Sequence, residues 1–277
     1  MSRNDLPRPV LKWAGGKSLL SKRILQLLPE RIETYYEPFF GGGAVFFALA
    51  RERRFTRAVL SDVNPELVNV YSTLRHDVDA VIKRLRRMTF SEEEFYRVRE
   101  QMPKTPVTQA ARTIYLNKTG YNGLYRVNLS GQFNVPFGRY VNPTICDEPN
   151  LRAVSAALAD VEFVVDDFEQ TCQRAKAGDA VYLDPPYLPL STTAHFTSYD
   201  RHPFGLPEHE RLADAFDDLT RRSVAAVLSN SCTSDSKRLY QAHHTEFPMV
   251  ARTINRDSEK RGKIREILVS NRIARVP

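Results

Sequence analysis

The stretch Tyr35-Tyr36-Glu37-Pro38-Phe39-Phe40-Gly41-Gly42-Gly43 decides the fold. Tyr35 to Glu37 reads as a short strand, and Pro38 cannot extend it. Phe39 to Gly43 is then a glycine-rich loop, and Val45, Phe46, Ala48 and Leu49 begin a helix. Glycines directly after a parallel strand let the backbone approach a ligand closely. Outward from there, Ala58 to Ser61 forms a second strand ending on Asp62, and Pro65 suits the first residue of the next helix. This β-loop-α-β order predicts an α/β fold with a parallel, doubly wound sheet. A carboxylate about twenty residues beyond a glycine loop is placed to accept hydrogen bonds from ribose hydroxyls. That spacing fits any adenosine-containing cofactor, NAD and S-adenosylmethionine alike.

Further along, the pattern changes and then returns. Val68 to Thr119 is helical in character, with Ser91 and Glu94 spaced as a capping box. Residues 120–140, GYNGLYRVNLSGQFNVPFGRY, interleave Gly, Asn, aromatics and Arg without a core pattern, and Ser130-Gly131 suits a hairpin turn. Residues 67–144 therefore read as an insertion, flanked by a catalytic unit of 1–66 and 145–277. Val161 to Val165, Ala180 to Leu183 and Val224 to Ser229 resume the buried parallel strands. A helix over Pro207 to Arg222 separates the last two, and 244–250 with 264–270 form a closing antiparallel pair. Arg252 to Lys263 is a cationic loop that is either a phosphate-binding face or simply solvated.

Chemistry concentrates after the strand at 180–183. Asp184-Pro185-Pro186-Tyr187 sits where open α/β sheets bind ligands. The prolines fix φ and hold a carboxylate and a carbonyl at that edge. Trp13 to Ser18 invites a phosphate-loop reading, but the pattern needs Gly where Leu11 stands.

Composition bounds the rest. The 277 residues are 42% apolar, enough for a sizeable core, and the net charge of +7 suits an anionic partner. Cys146, Cys172 and Cys232 are too scattered for a zinc site, so no metal is expected. No apolar run is long enough to span a bilayer, and the first residues lack the apolar stretch of a signal peptide, so a cytoplasmic location without membrane contact is expected.

Taken together, LKWAGGK (11–17), EPFFGGGAVF (37–46), SDVN (61–64), YNGLYR (121–126), GQFNVPFGRY (131–140), DPPY (184–187) and HFTSY (195–199) resemble the DNA adenine methyltransferase (Dam) family. The resemblance covers nearly the whole chain, and YNGLYR with FNVPFGRY is specific to members acting on GATC. Tyr125 and Val127 depart from the pattern, and Asp166-Asp167-Phe168 agrees better with the wider family.

The resemblance implies a Rossmann-like S-adenosylmethionine-dependent methyltransferase sheet with an inserted helical and β-hairpin DNA-recognition domain. It implies that Trp13, Ala14, Gly15 and Lys17 border the cofactor, with Lys17 near its carboxylate. Glu37, Pro38, Phe39, Gly41 and Gly43 would underlie its methionine part, Asp62 its ribose, and Asp167 and Phe168 its adenine. Asp166 and Asp167 equally suit a helix N-terminus. Asp184, which also borders the cofactor, and the Pro185 carbonyl would accept hydrogen bonds from adenine N6, with Pro186 shaping the loop and Tyr187 stacking on the base. By the same resemblance Tyr121 intercalates, Asn122 meets the orphaned partner base, and Leu124 and Arg126 read the site. Lys12 and Pro136 border the DNA, and Asn117, Lys118 and Arg139 meet phosphate. The expected partner is double-stranded DNA, bound by a monomer; a companion restriction endonuclease would be a partner in function only. Rival readings are an RNA adenine methyltransferase, a cytosine-N4 enzyme, a cofactor-sensing DNA-binding regulator and a nicotinamide dehydrogenase.

Overall fold

The computed structural model describes residues 6–13, 17, 20–128, 130–189, 204–251 and 263–272. In chain order the elements are α1 (Ser21–Leu27), β1 (Ile32–Glu37), α2 (Ala44–Arg51), β2 (Phe55–Asp62), α3 (Pro65–His76), α4 (Val78–Leu85), α5 (Glu92–Glu100) and α6 (Pro106–Thr119). A 3-10 turn at Tyr121–Gly123 opens the 120–140 loop, and α7 (Glu148–Ala157), β3 (Val161–Val165), α8 (Phe168–Arg174) and β4 (Ala180–Leu183) follow. The chain continues through α9 (Leu206–Arg221), β5 (Ala225–Ser231), α10 (Ser234–Leu239), β6 (His244–Glu246), β7 (Met249–Ala251) and β8 (Lys263–Ser270).

Among the described residues these strands form one eight-stranded sheet in the order β3-β2-β1-β4-β5-β8-β6, with β7 also paired to β8. The pairs from β3 to β5 are parallel, whereas β8 runs antiparallel to both β5 and β6. Strand order reverses between β1 and β4, so the crevice at their carboxyl ends is the place such a sheet offers a ligand. This is the Rossmann-like, doubly wound sheet that the sequence led us to expect.

Side chains alternate across the strands and fill two cores. Tyr35, Leu60, Tyr182, Val227 and Leu268 face α1, α2 and α3, while Tyr36, Val59, Val181, Leu228 and Ile267 face α8 and α9. The first core continues into α4, α5 and α6 through Val81, Phe95, Ile114 and Tyr115, and reaches Tyr125, Phe133 and Val135 of the loop at 120–140. That loop therefore does contribute to a core, through three buried side chains that its polar composition masks. Residue 67 lies in the first turn of α3, whose Tyr71 packs on Phe40 at 4.7 Å and on Phe163 at 6.4 Å; α3 is thus layered on the sheet.

Local chemistry explains the element ends. Asn64 caps α3 by accepting from Glu66 N and Leu67 N, with Pro65 in the first turn. Ser91 caps α5 by accepting from Glu94 N at 3.1 Å. The loop at 120–140 folds back on itself through the Val127–Phe133 bridge, and Gly131 turns at φ +76° while donating to Asn128 O.

Gly43 has φ +69°, and a Cβ there would lie 2.4 Å from the Phe40 ring. Gly43→Ala should therefore destabilise the fold by about 1–3 kcal/mol, measured as a lowered urea midpoint with an unchanged slope.

Candidate active site at the carboxyl edge of the sheet

Alternation places a row of polar groups on the face of the first core. Glu37 ends β1 two residues after Tyr35, Asp184 follows Tyr182 of β4 by two, and Ser229 follows Val227 of β5 by two. Because β8 is antiparallel, its beginning lies at the carboxyl edge of the others, and Glu266 pairs with Ser231. Four adjacent strands thus deliver Glu37, Asp184, Ser229 and Glu266 to the switch point.

Asp184 Oδ1 accepts from Ser229 Oγ at 2.8 Å and lies 2.7 Å from Lys17 Nζ. Tyr182 OH stands 2.9 Å from Ser229 Oγ, supporting it from below. The Lys17 ammonium also sits 4.6 Å from the centroid of the Tyr187 ring, and Tyr187 OH donates to Glu266 Oε2 at 2.8 Å. Burial pushes both the Asp184 and Glu266 carboxyls above their ordinary range, and Lys17 pulls both back down.

The loop is braced from behind. Asn230 Oδ1 accepts from Leu188 N at 3.1 Å, and Asn230 Nδ2 lies 3.3 Å from Nδ1 of the fully buried His209. Burial lowers the His209 pKa to about 4, against the opposing pull of the Pro186 carbonyl. His209 and Asn230 were invisible to sequence reasoning, as were Ser229, Tyr182 and Glu266. The one available signal was Glu266, a carboxylate directly before the buried apolar run Ile267 to Val269.

Beside this lies the glycine loop. Asp62 accepts Gly41 N at 3.1 Å through Oδ2 and Asn64 N at 3.0 Å through Oδ1. Glu37 is buried; its Oε2 accepts Tyr35 OH at 2.8 Å and Phe46 N at 3.1 Å, and burial pushes its pKa up to about 8. Glu37 thereby ties the end of β1 to the first turn of α2. Trp13 lies against the loop, where a Cβ on Gly41 would come within 2.7 Å of its ring. On its other side Trp13 packs at 5.2 Å, with a 31° tilt, against Tyr125, whose hydroxyl donates to Glu66 Oε2 at 3.1 Å. Asp167 caps α8 through Glu169 N and binds Arg211 at 3.0 Å; both sequence readings of this Asp remain compatible with that place. Phe168 is buried, 5.4 Å from Phe39 and 5.9 Å from Phe204. Pro38 and Phe39 join β1 to the loop, whereas Ala14 and Gly15 lie outside the described residues, as do His195, Phe196 and most of the cationic loop after Ala251.

The residues expected to meet DNA divide in two. Tyr121, Asn122, Pro136 and Arg139 are exposed on one loop, with Asn122 at φ +54°, a conformation Asn tolerates. Leu124 and Arg126 are half-buried, and Arg126 is held by Asn134 through Nε at 2.7 Å and Nη2 at 3.1 Å. Asn117 differs from expectation. It is 1% exposed, and its amide is spent on Lys12 N, Lys12 O and Gly123 O, so it clamps the backbone where a phosphate contact was expected. Lys12 crosses Gly123 with its ammonium 5.1 Å from the Tyr140 ring, and Lys118 is half-buried.

With this geometry established, comparison with known proteins gives the family. The family model described as "D12 class N6 adenine-specific DNA methyltransferase" matches residues 13–255. The chain belongs to that family. It is 40% identical to a type II methyltransferase, M.MjaIII, of Methanocaldococcus jannaschii, covering 95% of this chain and 99% of the relative. It is 38% identical to the type II methyltransferase M1.LlaDCHI of Lactococcus lactis, covering 95% of each. It is 36% identical to the DNA adenine methylase of Escherichia coli K12, covering 94% of each. The RNA, cytosine and dehydrogenase readings fall with this match. Among the described residues no helix is long and apolar enough to cross a membrane.

His209 provides a pH test. The unfolded state takes up a proton near 6.5, but the folded state does so only near 4. Stability from this group is present above pH 6.5 and is lost as pH falls towards 4. Relative to His209→Gln, the wild-type protein should lose roughly 3 kcal/mol over that window, read from denaturation at stepped pH.

Proposed function

We propose that the protein transfers the methyl group of S-adenosylmethionine to N6 of an adenine flipped out of duplex DNA, at the sequence GATC. The observation carrying this reading is the Asp184 carboxylate, held at the switch point by Ser229 and by Lys17, whose ammonium also lies over the Tyr187 ring.

The residues present suit the donor. Asp62 offers a carboxylate at the end of β2 for ribose hydroxyls, and the left-handed Gly41 and Gly43 keep side chains out of the loop under the methionine part. Asp167 with Phe39 and Phe168 offers a polar and aromatic wall for the adenine, and Lys17 a cation for the carboxylate. When bound, S-adenosylmethionine supplies a methyl group on a sulfonium that leaves readily, so no covalent enzyme intermediate is required.

The chain's own task is to prepare the amine. The N6 lone pair is delocalised into the purine ring and is a poor nucleophile. Asp184 and the Pro185 carbonyl each accept one N6 hydrogen bond, which favours a localised lone pair with a fixed direction. Positioning supplies much of the acceleration, and the carboxylate stabilises positive charge developing on nitrogen. Adenine is unreachable inside a duplex, so it must leave the stack, at a cost of a few kcal/mol. Stacking on Tyr187 and the N6 hydrogen bonds offset that cost.

The loop at 120–140 reads the site. Tyr121 intercalates, Asn122 meets the orphaned base, and Leu124 and Arg126 contact base edges, with Lys12 beside them. Arg is the commonest specific partner of guanine O6 and N7, and the two bonds to Asn134 pre-orient Arg126 for it. Lys118, Pro136 and Arg139 line the backbone path. Recognition is assigned to the inserted segment, the chain acts as a monomer, and any companion endonuclease shares sites with it, not contacts.

Asp184→Ala should abolish methylation of GATC duplexes while donor binding persists in equilibrium dialysis; wild-type turnover would refute the role. Arg126→Ala should relax discrimination between GATC and single-base variants by about 1–3 kcal/mol, and unchanged ratios of kcat/KM would reassign site reading.

A further inference from the structure

Glu266 has no part in the reading above, yet it lies against the proposed base-stacking tyrosine. Its position is costly. It stands on the core face of β8, two residues before Leu268, and is 8% exposed. A buried carboxylate disfavours folding unless it is well paired. Glu266 accepts from Tyr187 OH at 2.8 Å, and its backbone N–H is fixed on Pro248 O at 3.0 Å. The antiparallel entry of β8 is what brings this side chain to the carboxyl edge, because Ser231 at the end of β5 pairs with it.

The geometry points to Glu266 as a positioning residue for base capture: by holding Tyr187 OH it fixes the plane of the ring on which the flipped adenine stacks. This rests on the stacking role proposed for Tyr187. A tyrosine ring pivots about χ1 and χ2, and a loop after two prolines leaves it standing at the sheet edge. One end is constrained by Lys17, whose ammonium lies 4.6 Å from the ring centroid and is anchored on Asp184. The far end is constrained by Glu266. With both contacts the ring has one orientation relative to the Asp184 carboxylate. Without the carboxylate the hydroxyl keeps only its weaker hydrogen-bonding partner, the neutral Ser229, and a cation over a ring face does not hold the hydroxyl end, so the ring gains freedom to swing. Stacking alone does not call for the hydroxyl, so the Tyr187–Glu266 bond is best accounted for by orientation.

The test uses the full chain with saturating donor, reading flipping on a GATC duplex that carries 2-aminopurine at the target position and kcat on the matching adenine duplex, since 2-aminopurine has no N6 amine to methylate. It compares Glu266→Ala, Glu266→Gln, Tyr187→Phe and the Tyr187→Phe/Glu266→Ala double variant. Circular dichroism and donor affinity confirm that each is folded. Glu266→Ala should lower the flipping signal and cut kcat on the order of tenfold to a hundredfold, with KM for DNA changed less. Glu266→Gln keeps an oxygen that can accept from the hydroxyl and should restore most of both. Tyr187→Phe should resemble Glu266→Ala, and the double variant should be no worse than either single one. Independent, multiplying losses would overturn the proposal, as would a folded Glu266→Ala protein with wild-type flipping and kcat. Tyr187→Ala separates the two readings: if removing the ring changes neither signal, the stacking role itself is wrong and the positioning role falls with it.

Discussion

The ion pair between Lys17 and Asp184 is the interaction around which the site is arranged. A carboxylate buried at a sheet edge drifts towards its neutral form, and burial does push Asp184 upward. A protonated carboxyl would lose an acceptor needed for an amine. Lys17 at 2.7 Å and Ser229 at 2.8 Å oppose that drift. Ser229 itself is held by Tyr182, one strand away. The carboxylate is therefore kept ready by groups contributed from two neighbouring strands and from the segment preceding α1.

That preceding segment ties the parts of the site together. Lys12 is clamped by Asn117 and crosses Gly123 of the loop at 120–140. Trp13, next in sequence, lies between the glycine loop and Tyr125. Lys17 then reaches the Asp184 carboxylate. The glycine loop, the loop at 120–140 and Asp184 are thus linked through one short stretch and through the shared first core, with Tyr125 continuing the contact to Glu66 on α3.

Much of this was legible in the sequence. The strands at 35–37, 58–61, 161–165 and 180–183 fall inside observed ones, and Pro65 begins α3 as its fixed φ requires. The antiparallel closing pair was expected, although the insertion of β8 between β5 and β6 was not. The missed residues share one cause. Buried strands read as continuous apolar runs, so the face on which Ser229, Tyr182 and Glu266 stand is set by register, which neighbouring strands decide. Asn117 was misplaced for a related reason. It sits on α6, which is buried around most of its circumference, and a polar residue there satisfies backbone groups before it meets a ligand.

The central claim is that this edge methylates adenine in duplex DNA at one sequence. The most direct measurement incubates the purified protein and methyl-labelled S-adenosylmethionine with duplexes carrying GATC, with every single-base variant, and with matched RNA, then identifies the labelled base. Label confined to N6-methyladenine in the GATC duplex is the predicted result. Label in RNA, in cytosine, or equally in the variant duplexes would contradict the account.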